Sequence, residues 1–251
     1  MLFRSRRKDI WRGDVVVVRR AGDVIPEVDR VSRAGARTEH DRFVMPSHCP
    51  VCQSVVIRLE GEAAARCTGG LFCNAQRKQA IAHFASRRAM DIDGLGDKLI
   101  DQMVEKGLVN SPADLYFLRE DVLAELDRMG EKSAKNLILS IDGSRGKSLA
   151  RLIFALGIPG IGEEVAKILA GHFGHLNALI KADWGAIAEQ KRSIQRENAA
   201  RKRRGEPALP QILEGIGPEL MQSLDEFLKS DHNRKIIALL ERSEEHTSEL
   251  Q

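Results

Sequence analysis

The chain has 251 residues, of which 43% are hydrophobic, 30% are charged and 4% are aromatic, and its formal net charge is +3. This length allows two domains or several small ones with aliphatic cores. No apolar run approaches the roughly 20 residues of a membrane span, and the N-terminal sequence MLFRSRRKD lacks the apolar segment of a signal peptide. The composition therefore argues against a membrane or secreted protein and predicts a cytoplasmic one.

The N-terminal part of the chain has the pattern of β-structure. Val15–Val18 is a β-branched run between turn signals, and Pro26 marks a strand end or a sheet edge. The two or three strands that fit into residues 9–31 are too few to enclose a core of their own. We therefore expect residues 6–45 to be the last strands of a larger β-domain.

All four cysteines lie in one short segment, at Cys49, Cys52, Cys67 and Cys73. The spacing C-x2-C-x14-C-x5-C brings two close pairs of sulfurs around one ion, and the linker between them has room for a short hairpin. Zinc accepts four thiolate ligands, and four sulfurs leave no open position for water or substrate. We predict a structural Zn2+ site within residues 46–78.

Two other interpretations of the cysteines are weaker. Disulfide bonds require an oxidising compartment, and the chain shows no export signal. A redox-active C-x-x-C would leave the second pair of cysteines unexplained. His48 is adjacent to the first cysteine, but a fifth ligand is unnecessary, so we do not expect it to bind the metal.

Residues 79–241 have apolar side chains at intervals of three and four, which is typical of α-helices. A short glycine-containing unit recurs within this region, and each copy follows one helical stretch and opens the next. The copies are Asp91–Asp97, Gly157–Glu163, Leu213–Pro218 and, more weakly, Arg128–Ser133. Their uneven spacing predicts four helix–hairpin–helix units rather than a solenoid.

In three of these copies an apolar residue stands between two glycines, in a turn that lets the backbone approach a partner closely. The amides of such a turn and of the next helical turn form an anion site. A single copy is better explained as a helix C-cap followed by a turn, but recurrence favours phosphate binding without base recognition. The predicted DNA contacts are Gly94, Gly96, Lys98, Gly130, Lys132, Gly160, Gly162, Lys167, Gly215 and Gly217. Because Gly130 lacks a partner glycine, packing alone is an alternative role for that copy.

Residues 189–206 carry seven Lys or Arg residues and three Glu residues. This stretch is either a solvated helix face or a patch that contacts phosphates.

The two ends of the chain resemble a translated sequencing-library adapter. These segments are LFRS at residues 2–5 and RSEEHTSELQ at residues 242–251. We interpret residues 1–5 and 242–251 as non-native, and we expect the helical period to stop at Glu241.

The order of these segments resembles the C-terminal half of the bacterial NAD-dependent DNA ligases over residues 9–241. The resemblance depends on RAGDVIP at 20–26, the cysteine spacing, and DIDGLGDKLIDQMVEKGLV at 91–109. It implies a multi-domain, mainly α fold. The implied parts are the end of an OB-fold β-barrel at 6–45, a four-cysteine zinc finger at 46–78 and a helix–hairpin–helix domain at 79–241.

The resemblance also implies a reaction. NAD+ donates AMP to a lysine, the AMP moves to the 5′-phosphate of a nick, and the 3′-hydroxyl displaces it, assisted by Mg2+ or Mn2+. The chain has no K-x-D-G motif for that lysine and no glycine-rich nucleotide loop. We therefore expect no catalytic residue, no NAD+ site and no BRCT domain in this chain, which alone would be inactive.

As part of such a ligase, the chain is expected to be a monomeric, nucleoid-associated protein that wraps nicked double-stranded DNA. Two alternatives remain at this level. One is a non-catalytic zinc and helix–hairpin–helix module or a piece of another DNA-repair enzyme. The other is a zinc-stabilised helical protein that binds proteins.

Overall fold

In the computed structural model, the chain divides into two compact units, residues 1–73 and 74–251. The structure describes residues 4–22, 25–38, 41–58 and 64–248. Asp23 and Val24 of the predicted β-segment, and residues 1–3 and 249–251 of the adapter-like ends, lie outside the described residues. Within the described part helices predominate, which confirms the mainly α prediction.

The first unit begins with helix α1 (Arg4–Arg7), followed by strands β1 (Val15–Ala21) and β2 (Ile25–Arg33). The two strands form an antiparallel hairpin with irregular register near the start of β1. Pro26 lies opposite Arg20 near the beginning of β2, where its missing amide hydrogen interrupts little of the ladder. The predicted β-structure is confirmed, and its membership of an OB-fold stays a prediction.

A buried carboxylate connects the residues on either side of this hairpin. The Asp14 side chain has no exposed surface, and it accepts hydrogen bonds from the backbone amides of Trp11 and Gly35 and from the Arg37 guanidinium. The Arg37 hydrogen bond and the Gly35 amide lower the pKa of Asp14 to about 2. Asp14 therefore fastens the segment after β2 to the segment before β1 as long as it is ionised.

We expect the first unit to lose stability in acid because of Asp14. Its folded pKa is lower than the ordinary value of 3.8, so its stabilising effect is complete above that value and is lost as the pH falls through about 2. Asp14→Asn should weaken the unit at neutral pH and flatten its acid-unfolding curve. Amide exchange at Gly35 across this range measures the effect, and an unchanged curve in the variant would assign the acid sensitivity to other carboxylates.

The first unit continues with the cysteine segment. Strands β3 (Val56–Ile57) and β4 (Arg66–Cys67) pair antiparallel, and the 3-10 helix Gly70–Phe72 follows. The linker between the two cysteine pairs therefore forms the expected short hairpin, although residues 59–63 of that linker lie outside the described part.

The second unit is built from helices, confirming the prediction for this region. They are α2 (Asn74–Ala85), α3 (Asp97–Glu105), α4 (Glu120–Ala124), α5 (Glu131–Ser144), α6 (Leu149–Ala155), α7 (Glu163–Phe173), α8 (Leu176–Lys181), α9 (Trp184–Arg204), α10 (Pro218–Lys229) and α11 (Asp231–Ser248). The 3-10 helix Pro112–Phe117 lies between α3 and α4. The predicted domain boundary between residues 78 and 79 falls inside α2. No helix among the described residues is long and apolar enough to cross a membrane.

Helix α11 continues past Glu241, so the expectation that the helical period stops there is wrong. Ile236, Leu240 and Ser243 follow one another at helical spacing, and all three are buried. Ser243 donates a hydrogen bond to the Leu240 carbonyl at 2.6 Å, and Arg145 donates to the Ser243 carbonyl. The buried face of the helix thus extends into the adapter-like segment, whose origin stays a prediction.

Each hairpin turn has at least one apolar residue in the hydrophobic interior. Ile158 and Ile161 share one core with Leu213 and Ile216, so the third and fourth hairpins pack together. In the first two hairpins, Ile92 and Leu126 are buried in the corresponding positions. This packing holds the turns while their glycines remain at the surface.

Candidate metal centre and nucleic-acid interface

The four cysteine sulfurs converge on one point. All of them lie within 4.8 Å of one another; Cys49 Sγ and Cys73 Sγ are 3.9 Å apart, and Cys52 Sγ and Cys67 Sγ are 3.4 Å apart. A regular tetrahedron with zinc–sulfur bonds of about 2.3 Å has edges of about 3.8 Å. The observed spacing fits such an ion, and the cysteines are positioned to bind a metal.

Short local structures hold the sulfurs in place. Cys49 and Cys52 share a tight turn closed by a hydrogen bond from the Gln53 amide to the Cys49 carbonyl at 2.9 Å. Cys67 ends strand β4, and Cys73 immediately precedes α2. The cysteine positions are therefore set by one turn, one strand and the 3-10 helix Gly70–Phe72, after which the Cys73 amide donates to the Gly70 carbonyl.

Gly69 leaves the space that the sulfurs occupy. A Cβ atom at this position would lie 2.9 Å from both Cys52 Sγ and Ser54 Oγ. The Gly69 amide also donates a hydrogen bond to Cys67 Sγ at 3.2 Å. Glycine is required here for steric reasons, since no side chain fits against the sulfurs.

The electrostatics of the cluster favour a cation. A hydrogen bond with Ser54 lowers the pKa of the Cys52 thiol to about 6. The Gly69 amide acts to lower the pKa of Cys67, but burial and the neighbouring Cys52 and Cys49 thiols together raise it to about 11. Without a metal, ionisation of one thiol therefore disfavours ionisation of its neighbours, and a bound dication would remove this repulsion.

His48 does not join the cluster. Its Nδ1 lies 3.1 Å from Ser47 Oγ, and the metal-ligand group found among the described residues contains only the four cysteines.

The four helix–hairpin–helix turns share one backbone geometry. The first glycine of the turn has a positive φ at Gly94 (+87°), Gly160 (+80°) and Gly215 (+84°), and Arg128 takes the same conformation at +63°. The copy without a first glycine therefore keeps the turn, because an arginine occupies the left-handed region. Arg128 is exposed, and it is a residue that motif reasoning missed.

The second glycine of each turn precedes the next helix. Gly96, Gly130, Gly162 and Gly217 are the N-cap residues of α3, α5, α7 and α10, all with extended backbones and none with a capping side chain. The first amides of each helix have no intrahelical acceptor. Four short rows of backbone donors are therefore left at the helix starts, and the row of α10 lacks its first member because Pro218 has no amide hydrogen.

These second glycines have no internal reason to be glycine. All four have negative φ values and ordinary extended backbones, and a Cβ atom added at any of them would meet nothing within 4 Å. Serine, aspartate or asparagine at an N-cap would satisfy a helix amide and stabilise the helix. The bare backbone at all four turns is instead suited to the close approach of an external partner.

Comparison with known proteins agrees with this geometry. Residues 48–75 match the NAD-dependent DNA ligase C4 zinc finger domain, residues 86–142 match the SAM-like helix–hairpin–helix tandem, and residues 151–191 match the helix–hairpin–helix motif. A DNA ligase of Alkalilimnicola ehrlichii is 45% identical over 235 residues, which cover 94% of this chain and 32% of that protein. This chain is a DNA ligase homologue. It spans about one third of the length of its relative.

The hairpins of this ligase homologue are joined in pairs. In the first pair, the Asp93 amide of the first hairpin donates to Ser140 on α5, and Gln102 on α3 exchanges two hydrogen bonds with the backbone of Asp127. In the second pair, Ser223 on α10 donates to the Pro159 carbonyl. Each tandem is thus held by contacts from the helix of one hairpin to the turn of the other. The sequence revealed four units but not this pairing.

The predicted lysines of the ligase homologue differ in their surroundings. Lys98 and Lys132 are exposed second residues of α3 and α5, and, like Arg128, they form no hydrogen bond or ion pair with the described residues. Lys167 lies one turn further along α7 and pairs with Glu164 at 2.7 Å. The first tandem therefore presents free positive charge, whereas the turn of the third hairpin is followed by two acidic residues.

The basic stretch of the ligase homologue is part of the long helix α9. Several of its arginines pair with glutamates, as in the contacts of Arg192 with Glu189 and of Arg204 with Glu197. Neither proposed role, solvated face or phosphate patch, applies to Lys191, which is 7% exposed. Lys191 follows the buried Trp184 by seven residues, and that helical spacing was the available signal.

Proposed function

We propose that this chain is the DNA-binding portion of an NAD-dependent DNA ligase that seals nicks in duplex DNA. The open space in front of Gly96, Gly130, Gly162 and Gly217 carries this proposal. Exposed amides at a helix start donate hydrogen bonds to anions, and a phosphate backbone offers such anions. Its regular spacing along a duplex also suits several turns of the same shape.

The phosphate contacts are assigned to backbone amides assisted by exposed cations. Lys98, Lys132 and Arg128 supply charge beside the first tandem, together with the amides after Gly96 and Gly130. The second tandem contributes through the amides after Gly162 and through those of Gly217 and Glu219, since Pro218 has no amide hydrogen, with Lys167 and the turn residues Gly160 and Gly215. Contacts of this kind position the protein without reading bases, so binding is independent of sequence.

The metal in this proposal is a structural Zn2+ held by Cys49, Cys52, Cys67 and Cys73. Four thiolates fill its coordination sphere, so it orders the segment and takes no part in the reaction. In the whole protein, bound NAD+ and Mg2+ supply the AMP-transfer chemistry. Residues of this chain bind and orient the nicked duplex as part of a monomeric, nucleoid-associated protein of the bacterial cytoplasm.

The main test uses alanine at the second glycines. Gly96→Ala and Gly162→Ala place a methyl group where the phosphate backbone would approach, and we expect each to weaken binding of a nicked duplex roughly tenfold, or about 1.4 kcal/mol. The thermal midpoint should fall only slightly, because the added Cβ meets no neighbour and the remaining cost is that of alanine replacing glycine at an N-cap. Fluorescence anisotropy at fixed salt measures the affinity. Gly171→Ala on α7, equally open and remote from the turns, is the matched control.

Salt dependence gives a second, independent test. If the four hairpins each neutralise one or two phosphates, log affinity should fall against log salt with a slope of roughly −4 to −7. Lys132→Ala should reduce that slope by about 1. A slope near zero would remove the DNA assignment and favour a protein-binding role for the helical unit.

A further inference from the structure

Lys191 is the one lysine that the structure buries among the described residues. It lies on α9, and its Nζ donates hydrogen bonds to the carbonyls of Leu213 at 2.6 Å and Ile216 at 2.5 Å. Both carbonyls belong to the turn of the fourth hairpin. The ammonium group of Lys191 therefore donates to two backbone carbonyls of the same turn.

The geometry of the peptide bond makes this contact directional. The structure contains no cis peptide bond among the described residues. In a trans peptide unit the carbonyl oxygen and the amide hydrogen of the next residue point in opposite directions. A carbonyl of Leu213 or Ile216 that faces Lys191 therefore turns the amide of Glu214 or Gly217 away from it.

We infer that Lys191 is a positioning residue that aims the Glu214 and Gly217 amides of the fourth hairpin at a DNA phosphate. The inference rests on the proposed function. The hairpin's own bond, from the Ile216 amide to the Leu213 carbonyl at 3.1 Å, closes the turn without orienting the peptide unit before Gly217. Lys191 supplies that missing constraint.

The charge of Lys191 acts in the same direction. Helices α3 and α5 carry a lysine at their second position, whereas α10 begins with Pro218 and Glu219. The fourth hairpin thus has no lysine at the second position of its helix. Its cation is the buried Lys191, which contacts the turn from the interior. No carboxylate of the described residues forms an ion pair with Lys191, and Glu214 is the charged residue of the turn that acts on it.

Space filling alone does not explain a lysine here. Burial lowers the pKa of Lys191 from its ordinary value of 10.5, because desolvation disfavours the charged form. Methionine has a similar length and would enter an apolar interior without that cost. A lysine in this position is explained by its donors, not by its volume.

The test is an amide NMR titration of the full chain with a nicked duplex. In the unmodified protein, the Gly217 amide should shift on binding together with those of Gly96, Gly130 and Gly162. In Lys191→Met the Gly217 response should disappear while the other three persist, and the duplex affinity should fall about threefold to tenfold, as for one phosphate contact. Lys191→Arg, which keeps two donors, should recover most of the loss. Lys202→Met, on the exposed part of the same helix, is the matched control.

The outcomes separate the two proposals. If no hairpin glycine of the unmodified chain responds to the duplex, the proposed function fails. If Gly96, Gly130 and Gly162 respond and Gly217 does not, the role of Lys191 fails alone, whether or not the variants fold. A Lys191→Met protein that binds the duplex with an unchanged Gly217 response would also overturn it.

Discussion

Removal of the metal is expected to unfold the cysteine segment and leave the helical unit intact. The segment has little apolar core, and only Cys49 and Cys73 are buried in its described part. Structural zinc contributes about 10–16 kcal/mol to folding in small modules of this type. After treatment with a strong chelator, amide exchange should become fast throughout residues 46–58 and 64–73, while the far-ultraviolet helical signal should stay nearly constant.

Two variants distinguish a metal site from a group of adjacent thiols. Cys73→Ser removes a buried ligand and should reduce zinc affinity well beyond the about 10–100-fold that outer-sphere partners contribute. His48→Ala is the control, since His48 pairs with Ser47 and stands outside the cysteine group. Zinc released to a chromophoric chelator gives the stoichiometry. One zinc per chain in both variants, held equally tightly, would contradict the assignment of Cys73.

The cysteine cluster was predictable because its geometry is encoded locally. Within each pair, Cys49 with Cys52 and Cys67 with Cys73, the separation in sequence almost determines the separation in space. A single short linker then brings the pairs together. The pKa values of Cys52 and Cys67 were not predictable, because they depend on where Ser54 and the Gly69 amide lie relative to the sulfurs.

The hairpins were predictable only in part. A sequence motif looks for glycine, whereas the turn requires a positive φ, which another residue can also adopt. Arg128 has the φ of the first glycine, so the turn survives where the motif is broken. A left-handed conformation costs a non-glycine residue roughly 1–2 kcal/mol. The spacing of apolar residues does not indicate which residue adopts that conformation. The pairing of the turns also depends on contacts between residues distant in sequence, such as Gln102 and Asp127.

Lys191 shows a limit of composition. Seven basic residues in eighteen predict a charged surface on average, but they do not say which side chain the helix turns inward. That choice depends on the fourth hairpin, which packs against α9 and offers the Leu213 and Ile216 carbonyls. Substitution of Lys191 therefore probes the shape of a turn, and the surface charge of α9 is better probed at Lys202 or Arg203.

The first glycines of the turns have a role different from that of the second ones. At Gly160 the backbone is left-handed, and an added Cβ would lie 2.5 Å from Leu220 Cδ2 on α10. At Gly215 the backbone is also left-handed, but the nearest atom to an added Cβ is Ile168 Cδ1 at 3.8 Å, an ordinary contact. The two positions therefore differ in packing while sharing one conformation.

Gly160→Ala is accordingly expected to destabilise the second unit more than Gly215→Ala. Both substitutions place a Cβ in the left-handed region, at about 1–2 kcal/mol, and only Gly160→Ala also forces the end of the half-buried Leu220 side chain to shift, which adds a smaller penalty. Combining Gly160→Ala with Leu220→Ala should remove the second contribution, so the effects of the two changes should not add in a double-mutant cycle. Urea unfolding followed by the helical signal measures the unmodified chain, the three single variants and the double variant. Equal losses of unfolding free energy in Gly160→Ala and Gly215→Ala would show that backbone conformation alone requires these glycines. The contact between the third hairpin and α10 would then have room for a methyl group.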